Sequence, residues 1–311
     1  MLARILAIAL NTYREAVRAR LLLGVFAVSL ATCAYSLVVA SLSGGNEARV
    51  VADLGSAACS LFGVIIAVVL GSTSLYRELE YKTIFPILSR PIRRWEYLAG
   101  KYLGAVLTGF AFVAVETAVV LGMLAVESDQ ALWKVGVAAG VAVLVLLGAW
   151  LRAPSPSRVF LLVPWGIGFA VLAWFVAATT PGERQVVTAS AALTVCEIAV
   201  VAAVATLFAS FSSPFLTATF TAMLFVIGRS ADTLAHMPKK LFGNGLAAFF
   251  AGVARVVPNL HLYVPPRPLL LGQVDGHPVW PYVASAAAHA VFYSLLLLAG
   301  GALAFQKRDF S

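Results

Sequence analysis

Polar residues in this chain fall in clusters, and long apolar stretches run between them. Eight such stretches stand out, at 21–42, 56–76, 102–126, 135–151, 159–180, 186–211, 214–229 and 282–306. Most are about 17 to 26 residues long, enough to cross a hydrocarbon core roughly 30 Å thick as helices. They are continuous rather than alternating, which argues against a barrel, and a backbone in lipid must satisfy its own hydrogen bonds. The pattern predicts an all-α, polytopic membrane protein of about six to eight transmembrane helices.

Three segments break this rhythm. Residues 1–20 combine Leu2, Ile5 and Leu6 with Arg14, Glu15, Arg18 and Arg20. They predict an interfacial helix lying on the cytoplasmic leaflet, with Asn11 and Thr12 as N-cap types at which a fresh helix can begin. Residues 77–101 form the densest charged segment, with six basic and three acidic residues around Ile84, Phe85, Ile87, Leu88, Ile92 and Trp95. A solvated loop has no need of that apolar set, which points to a membrane interface or a groove on another protein. Residues 230–281 hold seven prolines, yet 246–257 has the length and mixture of an interfacial or re-entrant helix. This segment is expected to be an ordered cap on the outer face.

Composition sharpens the class. The chain is 61% hydrophobic and 12% charged, where a soluble domain would be about 25% charged. A net charge of +8 invites a nucleic-acid reading, but most basic residues sit at the ends of apolar runs, where they orient spans. With the N-terminus inside, 14 of the 22 basic residues fall on inner segments. The short outer loops carry Arg49, Lys134 and Arg184, and the long outer segment carries Arg229, Lys239, Lys240, Arg255 and Arg267. Both termini are therefore expected in the cytoplasm. The short apolar run at 2–10 is followed by arginines, the wrong order for a cleavable signal peptide. Cys33, Cys59 and Cys196 lie singly inside apolar runs and read as packing residues.

Candidate chemistry is sparse. No G-x-x-x-x-G-K-[ST] loop occurs, so the chain is not expected to hydrolyse ATP or to act as an enzyme. Glu116 and Glu197 lie deep in apolar runs, where an acid costs about 2.5 to 3.5 kcal/mol. They suit a proton or cation relay, a polar contact in a substrate path, or a hydrogen-bonded carboxyl joining helices through neighbours such as Thr117 or Ser190. Two acids without an intramembrane Lys or Arg fit an ion-gradient-driven carrier. His236, His261, His277 and His289 match no ligand spacing, so no metal site is expected.

The charged segment resembles the cytoplasmic segment of ABC transporter type-2 permeases. The matching residues are Glu78 and Glu80, Thr83 with Ile84, Ile87-Leu88-Ser89, Pro91, Arg93-Arg94 and Gly100-Lys101. Leu10-Asn11-Thr12-Tyr13-Arg14-Glu15-Ala16, Asp53-Leu54-Gly55 and Lys307-Arg308-Asp309-Phe310 are similar to one branch, which includes permeases associated with copper-enzyme maturation and gliding motility. Such permeases commonly have six spans, so the hairpin at 135–180 looks like an insertion. The family also commonly has Gly where Lys82 stands, and Pro86 interrupts the apolar part of the motif.

The resemblance implies a permease domain over 21–311 and a bacterial inner-membrane location. It implies separate cytoplasmic ABC ATPase subunits that bind ATP and Mg, and a second permease copy. It places ATPase docking on Glu78, Glu80, Thr83, Ile84, Phe85, Ile87, Leu88, Arg90, Pro91, Arg93 and Arg94, with the arginines reaching acidic residues or lipid phosphates. The alternatives are the carrier built on Glu116 and Glu197, and a membrane scaffold that uses 230–281 to hold an outer-face partner. No nucleic-acid partner is expected.

Overall fold

The computed structural model describes residues 1–80, 93–127, 132–155, 157–236, 239–274 and 278–306. Thr83, Ile84, Phe85, Ile87, Leu88, Arg90 and Pro91 lie outside the described residues, as does His277.

The described residues form a helical bundle. Helix α1 spans Leu2–Arg18, α2 Arg20–Ala40, α3 Glu47–Glu80, α4 Arg94–Glu127, α5 Leu132–Arg152 and α6 Leu162–Val176. Beyond them come α7 Pro181–Ala209, α8 Pro214–Arg229, α9 Ala231–Ala235, α10 Lys239–Val256, α11 Arg267–Leu270 and α12 Val279–Gln306. Single 3-10 turns at Arg158–Leu161 and Leu260–Tyr263 precede α6 and α11. Among the described residues, seven helical segments are long and apolar enough to cross a membrane, as a multi-pass membrane protein requires; one of them is α6 together with the 3-10 turn before it, Arg158–Val176. The eighth expected span, 214–229, is α8. With 16 residues it rises only about 24 Å and falls short of a full crossing.

Boundaries follow local chemistry. Gly44 and Gly45 adopt positive φ (58° and 101°) to turn α2 into α3, a conformation that costs side-chain-bearing residues more. Proline opens both α7 and α8, where its missing N–H has no helical partner to lose. At the start of α4 the Glu96 carboxylate accepts the backbone N–H of Arg93 at 3.2 Å, which satisfies a donor beside the helix start.

Helices α3, α4 and α7 form the centre, with α12 packed on α7 and α6 on α4. Close approach here depends on small residues. A Cβ added at Gly71 of α3 would collide with Ala205 of α7. Helix α5 packs mainly on α6 and buries only Ala142, so α5 is outlying while α6 is held on α4.

Helix α1 is continuous through Asn11 and Thr12, and the chain turns instead at Ala19, where ψ is 122°. A fresh start at 11–12 is thus corrected, because the face Ile5, Ala9, Thr12, Tyr13 and Ala16 is buried as one stripe against α4. Gly100 and Gly104 make room for it. A Cβ at Gly104 would come within 2.7 Å of the Ala9 carbonyl oxygen, and one at Gly100 within 2.6 Å of Ile8 Cβ. This is the small-xxx-small approach of membrane helices. Glu15 accepts a hydrogen bond from Asn11 and pairs with Lys101 at 3.8 Å, while Arg18 and Arg20 are exposed and Arg14 is half-buried.

Arg94 joins the start of α4 to the end of α12. Its guanidinium donates to the carbonyls of Phe305 (2.9 Å) and Gln306 (3.1 Å) at the end of α12. A cation there satisfies carbonyls that a helix C-terminus leaves open. The contact also brings the end of α12 to the same end of the bundle as α1.

Candidate functional site

At the opposite end of the bundle, α3, α7, α8 and the segment 263–270 enclose a cavity of about 560 Å³. Its wall is built by helical periodicity. On α3, Arg49, Asp53, Ser56 and Ser60 recur at three- and four-residue intervals and share one face. On α7, Ser190 and Thr194 do the same. Phe225, Leu61 and Leu270 supply apolar surface.

The base of the cavity is an ion pair. Arg229, the last residue of α8, donates through Nε to Glu197 Oε1 at 3.0 Å and through Nη2 to Glu197 Oε2 at 3.3 Å. Ser60 bridges the two, accepting from Arg229 Nη2 at 2.8 Å and donating to Glu197 Oε2 at 2.9 Å. Glu197 is fully buried, whereas the Arg229 side chain keeps 26% of its surface exposed. Ser213 and Pro214 start α8 at the far end of the bundle, and its 16 residues bring Arg229 back to the depth of Glu197. The expectation that both deep acids lack a basic partner is therefore corrected for Glu197. The two are 32 positions apart in the chain, and Arg229 looked like part of the outer segment because it ends the apolar run.

The rim is a second ionic cluster. Arg267 pairs with Asp53 of α3 and with Glu183 in the first turn of α7. Arg49 approaches Asp53 at 3.7 Å. Gln185 donates to the Leu270 carbonyl at 3.0 Å, Tyr282 to the Leu262 carbonyl at 2.7 Å, and the Tyr263 hydroxyl meets His289 Nδ1 at 3.0 Å. These bonds fix residues 260–270 as a strap across α3, α7 and α12. Burial raises the Tyr263 phenol pKa, so its hydroxyl stays neutral under ordinary conditions.

Glu116 lies elsewhere, on the far side of α4. Its Oε1 accepts from Ser29 Oγ at 2.7 Å and from Cys33 Sγ at 2.9 Å, both on α2. The carboxyl therefore joins α4 to α2 rather than to Thr117 or Ser190, and Cys33 is a donor as well as a packing residue. Its Oε2 is buried with no partner among the described residues. Glu116 and Glu197 thus belong to two separate polar sites.

Sequence reasoning found Glu197 but missed Arg229, Ser60 and Arg267. The polar spacing 49, 53, 56, 60 on α3 was the available signal. No protein-family model and no curated protein matches the chain.

Proposed function

We propose that this chain is the membrane subunit of an ABC-type transporter, moved by separate cytoplasmic ATPase subunits that dock on residues 77–101. The observation that carries the reading is the continuity of α3. Its 34 residues rise about 50 Å, well beyond a hydrocarbon core. One unbroken helix thus joins the cavity wall at Asp53 and Ser60 to Glu78 and Glu80, where the charged segment begins. At the other end of that segment, α4 also runs for 34 residues and is keyed to α1 through Gly100 and Gly104. A push on the segment between α3 and α4 shifts both central helices, and with α3 the cavity wall. Helix α1 travels with α4 as one body.

The test is purification of the full chain in mild detergent, with identification of co-purifying proteins and an ATPase assay. An associated ATPase that is lost in the Phe85→Asp/Leu88→Asp variant is the expected result. A folded wild-type chain without ATPase sinks the reading. The ion-driven carrier is the second reading, favoured by the bare Oε2 of Glu116. It expects transport that survives ATP depletion and stops in Glu116→Gln.

A further inference from the structure

We propose that the cavity between α3, α7, α8 and the 263–270 strap binds the head of an anionic amphiphile, an oxyacid group of the phosphate or carboxylate kind on an apolar chain. This names a substrate class for the transporter reading above and rests on that reading only for the step of transport.

Arg49, Arg229 and Arg267 line the cavity, and Asp53 is the acid that lines it with them. The partners that neutralise two of these arginines, Glu197 and Glu183, do not line the cavity. The carboxylates offset the cost of holding guanidinium groups in a low-dielectric place, and on Arg267 they take both Nη groups, through Asp53 and Glu183. Arg229 spends Nε and Nη2 on Glu197 and Ser60, and Nη1 makes no protein hydrogen bond among the described residues. A guanidinium fixed from behind keeps the two N–H donors of Nη1 for an oxyanion.

Hydroxyls add to this. Ser56 and Ser60 line the wall from α3, and Ser190 and Thr194 stand opposite on α7. A cation would meet Arg49, Arg229 and Arg267 with Asp53 alone to offset them on the cavity side, and a neutral sugar would leave the Nη1 donors of Arg229 without a charged acceptor.

The remaining wall explains the apolar part. Leu61, Phe225, Val264 and Leu270 surround the polar track, and Leu61 keeps 52% of its surface exposed. A volume of about 560 Å³ takes a head and a short length of chain rather than a whole two-chain lipid. A soluble anion gains nothing from these side chains, whereas an amphiphile removes each from contact with water.

The experiment uses the full chain in detergent and short-chain phosphatidylglycerol, with short-chain phosphatidylcholine and inorganic phosphate as comparisons, read by calorimetry. Phosphatidylglycerol is expected to bind about tenfold more tightly than phosphatidylcholine, a ratio worth one strong charge-assisted contact. The charge-neutral double variant Glu197→Leu/Arg229→Leu is expected to abolish that preference. Arg49→Gln, at an exposed rim position, is expected to weaken phosphatidylglycerol several-fold and keeps the test open where the double variant does not fold. Equal binding of the two lipids by the wild type overturns the proposal. So does an undiminished preference in a folded double variant, or in Arg49→Gln where the double variant does not fold. Inorganic phosphate binding as tightly as phosphatidylglycerol overturns the amphiphile. The assay involves no ATPase, so its failure leaves the transporter reading standing, and loss of the ATPase partner leaves this one standing.

Discussion

Breaking the Glu197–Arg229 pair from either side should have unequal costs. Glu197 is fully buried and takes three donor contacts, two from Arg229 and one from Ser60. Arg229→Leu leaves that carboxylate with Ser60 alone. Stranding a buried partner costs about 3–5 kcal/mol, and full burial places this variant at the upper end. Glu197→Leu instead strands a guanidinium with 26% of its side chain exposed to the cavity, where water can solvate it, so the loss should lie near the lower end. The double variant replaces both charges with apolar side chains and should recover most of the loss, since such swaps are often nearly neutral. With single losses of about 5 and 3 kcal/mol and about 1 kcal/mol left in the double variant, the coupling in a double-mutant cycle is about 7 kcal/mol. Reversible unfolding of the full chain in mixed micelles, followed by circular dichroism, reads all four proteins. Additive losses, or Glu197→Leu costing more than Arg229→Leu, would refute the reasoning.

Other sites give independent tests. Gly104→Val places side-chain atoms against the Ala9 carbonyl and Thr12; overpacking of this kind costs about 1–3 kcal/mol, and proteolysis within residues 11–20 should become faster while the rest of the bundle stays resistant. Tyr13 donates to the Val159 carbonyl at 3.1 Å, and burial pushes its phenol up to about 12 from 10.0. Its folded pKa is the higher one, so the stabilisation is complete below pH 10 and is lost as pH rises through 12. Alkaline unfolding of Tyr13→Phe should lack that component. Glu116→Leu removes the acceptor shared by Ser29 and Cys33 and should loosen α2 from α4 at a cost of about 1–3 kcal/mol, read as faster alkylation of Cys33.

The long apolar runs made the helices legible, because in lipid every backbone group must be paired within its own segment and hydrophobic length alone sets the spans. The same rule could not place α8. Residues 214–229 are apolar enough for a span, but Arg229 closes the run, and its partner lies on α7. A cation at the end of an apolar stretch looks the same in sequence whether it anchors at the interface or folds back onto a buried acid. The role of Arg94 was hidden similarly, since its acceptors are carbonyls more than 200 positions away. Hydroxyl partners were equally silent. Ser29 and Ser60 are ordinary residues in a membrane helix, and only helix packing decides which of them meets a carboxyl.

The two ionic clusters stand about 10 Å apart along α3, the rise from Asp53 to Ser60, and they differ in what they join. The Arg229 cluster ties α8 to α3 and α7 at mid-depth, whereas Arg267 sits on the strap and holds α3 and α7 together at the rim. Any motion that separates Asp53 from Glu183 must give up one of Arg267's two partners. Arg267→Gln removes that constraint while leaving the hydrogen bonds at Leu262, Tyr263 and Leu270 to hold the strap. In a cysteine-free background, a single cysteine at Ser56 reports access to the cavity wall through its rate of reaction with a water-soluble maleimide. That rate should rise several-fold in Arg267→Gln and stay unchanged in Arg255→Gln, a control on α10. An equal rate in the two variants would mean that the rim pairs do not close the cavity and that the remaining strap contacts suffice.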